Sequence, residues 1–262
     1  MYEIQTYLGA DGLMHCTVCK EPVEAFYPKG SLLEMRKHHR QCACERKAYA
    51  EEAQYYKEKE HRELIARNKK ICFEEKEMEG FTFQNVERDS GVIRIAEEYV
   101  TNWQKMKQNH MGYLFWGPVG TGKSYLAACI ANALLEKEVT VKMTNFNTIL
   151  NDLFAAEDKT EYIRLLNGYE LLIIDDLGVE RSSEYALENI FGVIDWRYRS
   201  GKPLIITTNI PLVQLKQETK IEKKRIYDRI LERCIPVKID GVSRREAMAN
   251  DNMQTMKNIL KI

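Results

Sequence analysis

A chain of 262 residues, 44% of them hydrophobic, can build one sizeable core with an appendage but not two large domains. Its 39 Lys and Arg balance 39 Asp and Glu, which argues against a basic coat for nucleic acid and leaves room only for a local basic groove. No apolar run is long enough to span a bilayer, and Met1-Tyr-Glu-Ile-Gln-Thr6 lacks the basic and apolar stretches of a secretory signal, so a cytoplasmic protein with no membrane partner is expected.

Four of the seven cysteines fall in residues 1–45, as Cys16-Thr-Val-Cys19 and Cys42-Ala-Cys44. Paired cysteines in a reducing compartment favour metal over disulfides. Four thiolates suit tetrahedral Zn²⁺, and such a site can order a segment too small to form a core alone. His15, His38 and His39 are close enough in sequence to replace one thiolate. A redox pair or simple packing are the alternatives. Cys72, Cys129 and Cys234 stand alone; Cys129 reads as core, and no chemistry is assigned to the three.

Residues 46–79 carry dense mixed charge with neither Pro nor Gly. This predicts a solvated linker helix whose apolar stripe (Tyr49, Ala53, Tyr56, Leu64) is thin. Residues 80–262 form the main domain. Val92, Ile93, Ile95, Ala96, Tyr99, Val100 and Trp103 recur at helical spacing. Thereafter strands are expected at 112–116, 139–143, 171–174 and 203–207. Helices are expected at 125–135, 146–154, 161–166 and 184–198. Alternation of this kind implies an α/β fold with a parallel sheet, right-handed crossovers and helices on both faces.

The segment Gly117-Pro118-Val119-Gly120-Thr121-Gly122-Lys123-Ser124 fits the phosphate-binding pattern GxxxxGK[ST]. It lies between an apolar strand and a helix opening at Tyr125, the context in which the pattern has a mechanism. Glycines let backbone N–H groups turn inward around phosphates, and the helix start adds its positive dipole end. Lys123 is placed to reach the β- and γ-phosphates of ATP, and Ser124 to hold Mg²⁺.

Leu171-Leu-Ile-Ile-Asp-Asp176 ends an apolar strand in two carboxylates. Asp175 is the candidate Mg²⁺ ligand and Asp176 the candidate general base; a strand followed by a simple turn is the alternative. Asn209 ends the strand Leu204-Ile-Ile-Thr-Thr-Asn209, where ligands bind in parallel sheets. Arg225, Arg229 and Arg233 stand four apart on a predicted helix. On spacing alone they read as solvated arginines paired with nearby acids.

These motifs occur in order, together with Gly241-Val-Ser-Arg-Arg245, and the set resembles the bacterial and phage replicative-helicase loaders of the DnaC/DnaI type, within the AAA+ ATPases. The likeness covers roughly residues 80–247. It implies an AAA+ P-loop ATPase domain, with Asn209 as sensor, Arg229 as an arginine finger acting on a neighbouring copy's ATP, and Arg244 or Arg245 as the terminal nucleotide-sensing arginine. It also implies a replicative DNA helicase as partner, single-stranded DNA bound with modest affinity, and self-association through the ATPase domain. Asp176 departs from the pattern, where Glu is usual. Transposition helper ATPases of the IstB type share the core motifs but generally not the cysteine module. A small-molecule P-loop kinase is opposed by Asn209, the arginine helix and the lack of a lid segment. A non-enzymatic zinc adaptor is opposed by the intact Lys123, Ser124 and Asp175.

Overall fold

A computed structural model of the chain describes residues 5–33, 36–85, 91–178, 183–241 and 243–260. The chain divides into two units, Met1–Leu64 and Ile65–Ile262.

The first unit holds two small antiparallel hairpins and the start of a long helix. Strand β1 (Thr6–Leu8) pairs with β2 (Met14–Cys16), and β3 (Glu24–Phe26) with β4 (Lys37–His39). Helix α1 (Ala43–Cys72) follows. Strands of three residues bury little: among the described residues of this unit, only Cys16, Val23 and Cys42 form a buried apolar cluster. Helix α1 is charged and exposed over most of its length, including Tyr49, Ala53 and Tyr56 of the expected stripe. Its buried residues are Ile65 and Cys72, both in the second unit. The unit boundary thus falls inside the charged helix rather than after it.

In the second unit the expected helical run before the first strand breaks at Asn102, giving α2 (Gly91–Thr101) and α3 (Trp103–Gln108). Then come β5 (Gly112–Trp116), α4 (Lys123–Leu135), β6 (Val141–Asn145), α5 (Phe146–Ala155), α6 (Lys159–Leu166) and β7 (Leu171–Leu177). The chain continues through α7 (Glu184–Ser200), β8 (Leu204–Thr208), α8 (Leu212–Lys216), α9 (Ile221–Arg233), β9 (Cys234–Lys238) and α10 (Arg244–Leu260). Strand β6 starts later than the expected Val139, because Glu138 takes a left-handed turn (φ 61) and Val139 N–H still bonds to Leu134 O.

The sheet order is β6-β7-β8-β5-β9, and all four pairings are parallel. Side chains alternate across it as a pleated strand requires. Tyr113, Phe115, Leu171, Ile173 and Ile205 enter the core under α2 and α4. Leu114, Leu172, Ile174, Leu204 and Ile206 enter the core under α5, α7 and α9. Both faces are buried, which explains the near-continuous apolar runs. The fifth strand, β9, was not expected: Pro236 speaks against a central strand. It sits instead at the sheet edge, paired only with β5, where proline is tolerated.

Candidate functional site

The phosphate loop runs from β5 into α4. Gly117, Gly120 and Gly122 all have positive φ (149, 81 and 93). A Cβ at Gly117 would fall 2.2 Å from Ile239 O, and one at Gly120 would fall 2.2 Å from Ser243 Oγ. At Gly117 the Ile239 backbone leaves no room for a side chain, and at Gly120 the Ser243 side chain fills the space, so both positions suit glycine. Thr121 Oγ1 donates to Pro118 O at 2.9 Å and closes the turn. Lys123 is 4% exposed, and its ammonium donates to the carbonyls of Gly117 (3.0 Å) and Pro118 (2.7 Å). These contacts hold the ammonium at the loop, where charge-assisted bonds to anionic oxygens are strong. Tyr125 forms part of the wall: its ring stacks on Phe81 (centroids 4.5 Å apart) and its hydroxyl donates to Thr82 O at 3.2 Å.

Asp175 lies against the loop. The hydroxyls of Thr207 (2.5 Å) and Ser124 hydrogen-bond to its carboxylate. Burial pushes this carboxyl above the usual carboxylate range; the two hydroxyls oppose the rise, the Asp176 charge adds to it, and the Lys123 charge also opposes it. A hydroxyl and a carboxylate are the hard oxygen donors that Mg²⁺ takes. Asp176 comes next, where pairing between β7 and β8 shifts register between Ile174 and Leu177. Its N–H donates to Thr207 Oγ1 at 2.9 Å. Thr207 therefore joins both aspartates, a role not read from the sequence, where it stood inside an ordinary strand. Asn209, half-buried, follows β8, the strand lying between those that carry the loop and the aspartates.

Asp175 also sets a stability expectation. A carboxyl with raised folded pKa binds its proton more tightly folded than unfolded, so stability falls as pH rises through the interval between the two. Asp175→Asn retains an oxygen for the hydroxyls and removes the buried charge. The variant is expected to melt higher at neutral pH, by about 2–4 °C per kcal/mol relieved, and the gain is expected to fade on acidification. Thermal melts across pH check this.

Arg229 lies elsewhere. It lines a small cavity with Arg197, Lys202 and Leu204, at the amino end of β8, opposite Asn209. Its Nε donates to Asp195 Oδ1 at 2.7 Å. Ser243 packs against Gly120 of the loop. Val242 and the side chains of Arg244 and Arg245 lie outside the described residues.

In the first unit, the sulfurs of Cys16, Cys19, Cys42 and Cys44 all lie within 4.8 Å of one another. Four thiolates on one zinc stand about 3.8 Å apart, from Zn–S bonds of about 2.3 Å at tetrahedral angles, so the set fits the ion. Cys42 and Cys44 sit at the start of α1, whose dipole favours thiolate. The Glu21 N–H draws the Cys19 thiol down to about 6, while burial lifts Cys44 to about 11. The histidines have other partners: His15 meets Asp11 at 3.0 Å, His39 meets Glu45 at 3.2 Å, and His38 Nδ1 contacts His39 O.

A five-stranded parallel sheet flanked by helices, with a phosphate loop on β5 and an aspartate pair on β7, defines an α/β P-loop domain of the AAA+ kind. The chain belongs to the IstB-like ATP-binding protein family, which matches it over residues 48–251. It is homologous to the replicative helicase loaders. The DnaI loader of Bacillus subtilis (strain 168) is 24% identical over 192 residues, covering 67% of this chain and 62% of that protein. The DnaC loader of Escherichia coli (strain K12) is 29% identical over 149 residues, covering 55% and 58% respectively. The chain thus spans less than two thirds of the length of either relative. A crystal structure of DnaI superposes with a TM-score of 0.58 at 25% identity, covering 68% of this chain and 99% of that one. Among the described residues no helix is long and apolar enough to cross a membrane.

Proposed function

We propose that this chain is an ATP-dependent loader that binds a replicative DNA helicase and helps place it on single-stranded DNA. The observation that carries the reading is the joined set of Lys123, Ser124, Asp175 and Thr207, in a chain homologous to helicase loaders. Lys123 binds the β- and γ-phosphates of ATP, Ser124 and Asp175 hold Mg²⁺, and Asp176 accepts a proton from the attacking water. Asn209 orients that water, Arg229 acts on a neighbouring copy's nucleotide, and Arg244 or Arg245 senses it. Four cysteines hold one structural zinc. A transposition helper would use the same ATPase module. The full chain mixed with the replicative helicase of its own host is expected to co-elute with it in the presence of ATP. Failure to do so, with co-elution of a transposase instead, would reverse the assignment.

The single-stranded DNA part of this reading is supported by a groove of about 690 Å³ between α5 and the start of α7, lined by Asn147, Asn151, Phe154 and Tyr185 among others. Phe154 is 81% exposed and Tyr185 41% exposed, and the Lys159 ammonium lies 4.8 Å from the Tyr185 ring centre. Exposed rings beside amides suit base stacking, worth about 1–3 kcal/mol per base. Phe154→Ala with Tyr185→Ala is expected to weaken binding of a labelled oligonucleotide about tenfold or more while leaving nucleotide affinity intact. Unchanged anisotropy titrations would remove the groove from the DNA path.

A further inference from the structure

Three arginines of α9 stand four residues apart, and each lies over a ring of α7. The guanidinium carbons of Arg225 and Arg229 are 4.3 Å and 4.6 Å from the Phe191 ring centre, and that of Arg233 is 4.6 Å from the Tyr198 ring centre. Between these rings Asp195, 8% exposed, accepts from Arg229 Nε at 2.7 Å and Arg199 Nε at 2.8 Å. Arg229 also donates Nη1 to the Arg225 carbonyl at 3.2 Å. Its charge is matched inside the chain and part of its fork is already used.

Arg225 differs. Its side chain is exposed, and among the described residues it contacts the Phe191 ring alone. A guanidinium is planar, and one held over a ring face keeps N–H donors at its edge for another partner. Such a fork is pre-organised for the oxygens of a phosphate and loses little freedom on meeting them.

We propose that Arg225 is a second anion-binding arginine of this face, donating to the triphosphate held by a neighbouring copy of the chain, and that Phe191 is the platform positioning it. The inference rests on the shared-site reading in which Arg229 acts between copies. Arg229 is then the fixed member, anchored by Asp195, and Arg225 the member with its fork free for the incoming phosphate.

The test measures ATP turnover by the full chain over a range of protein concentrations, with fluorescent-nucleotide affinity as the control for each protomer's own loop. Arg225→Ala is expected to lower turnover about tenfold or more, the loss of one charge-assisted contact, at unchanged nucleotide affinity. Mixing it with Lys123→Ala protein is expected to restore part of the turnover. Phe191→Leu is expected to lower turnover in the same way, and Phe191→Trp to keep it, because the ring rather than the apolar volume is required. A purely structural Phe191 would give the two variants similar turnover, and that result would overturn the platform role. If Arg229→Ala lost turnover while Arg225→Ala kept it, the inference would fail and the shared site would stand. If both variants turned over normally, the shared site itself would fall.

Discussion

Exchanging Lys123 for alanine is expected to cut ATP affinity about a hundredfold or more, read by titration with a fluorescent nucleotide. Lys123 is 4% exposed and its ammonium donates to two carbonyls of its own loop, the placement of a cation that meets the β- and γ-phosphates. Removing one partner of a buried charge-assisted contact costs about 2–5 kcal/mol. The fold is expected to survive, since α4 is packed by Leu126, Ile130 and Leu134 rather than by Lys123. Asp176→Asn separates the two halves of the reaction. It leaves the loop, Ser124 and Asp175 untouched, so nucleotide is expected to bind as before, while the carboxylate proposed to accept the proton is gone and turnover is expected to stop. Parent-rate hydrolysis by Asp176→Asn would remove Asp176 from the chemistry.

Zinc is expected at about one ion per purified chain, and its removal is expected to unfold the first unit while sparing the second. Two three-residue hairpins and a cluster built largely of cysteines cannot offset the conformational entropy of ordering that segment. A structural zinc supplies about 10–16 kcal/mol in small peptide sites. Cys16→Ser with Cys19→Ser, or a strong chelator, should therefore release the metal and open residues 1–45 to protease. Nucleotide affinity is expected to stay near its parent value, because the phosphate loop lies in the other unit. A metal-free chain whose N-terminal segment resisted protease would end the zinc assignment.

What could be read from the sequence follows from where each signal is local. The phosphate loop, its strand and its helix are adjacent in the chain, and residues 117–124 carry the pattern entire. The clustering of the four cysteines was legible from their two close pairs, the spacing a metal site uses. Asp175 and Asp176 were legible as an apolar strand that ends abruptly in charge. Thr207 was not: its hydroxyl matters only because β8 lies beside β7, which places it within reach of both aspartates, and no local pattern announces strand order. Strand β9 escaped for a similar reason. Its Pro236 opposes a strand by propensity, and only its place at the sheet edge, beside β5, resolves the conflict. The α7 platform under the arginines was hidden too, since Phe191, Asp195 and Tyr198 serve α9 across a gap of some thirty residues.

The left-handed backbone of Asp176 (φ 56) gives position 176 two separate chemical demands. Successive residues of a regular strand point to opposite faces, so two neighbouring carboxylates can serve one pocket only if the chain kinks between them, as the shifted pairing after Ile174 allows. Left-handed geometry is open to Asp and Asn far more readily than to longer side chains, whereas the proposed proton abstraction demands a base such as a carboxylate. Aspartate meets both conditions. The shorter acid at this position is thus a conformational choice: glutamate would gain reach and lose backbone ease, asparagine would keep the shape and lose the base.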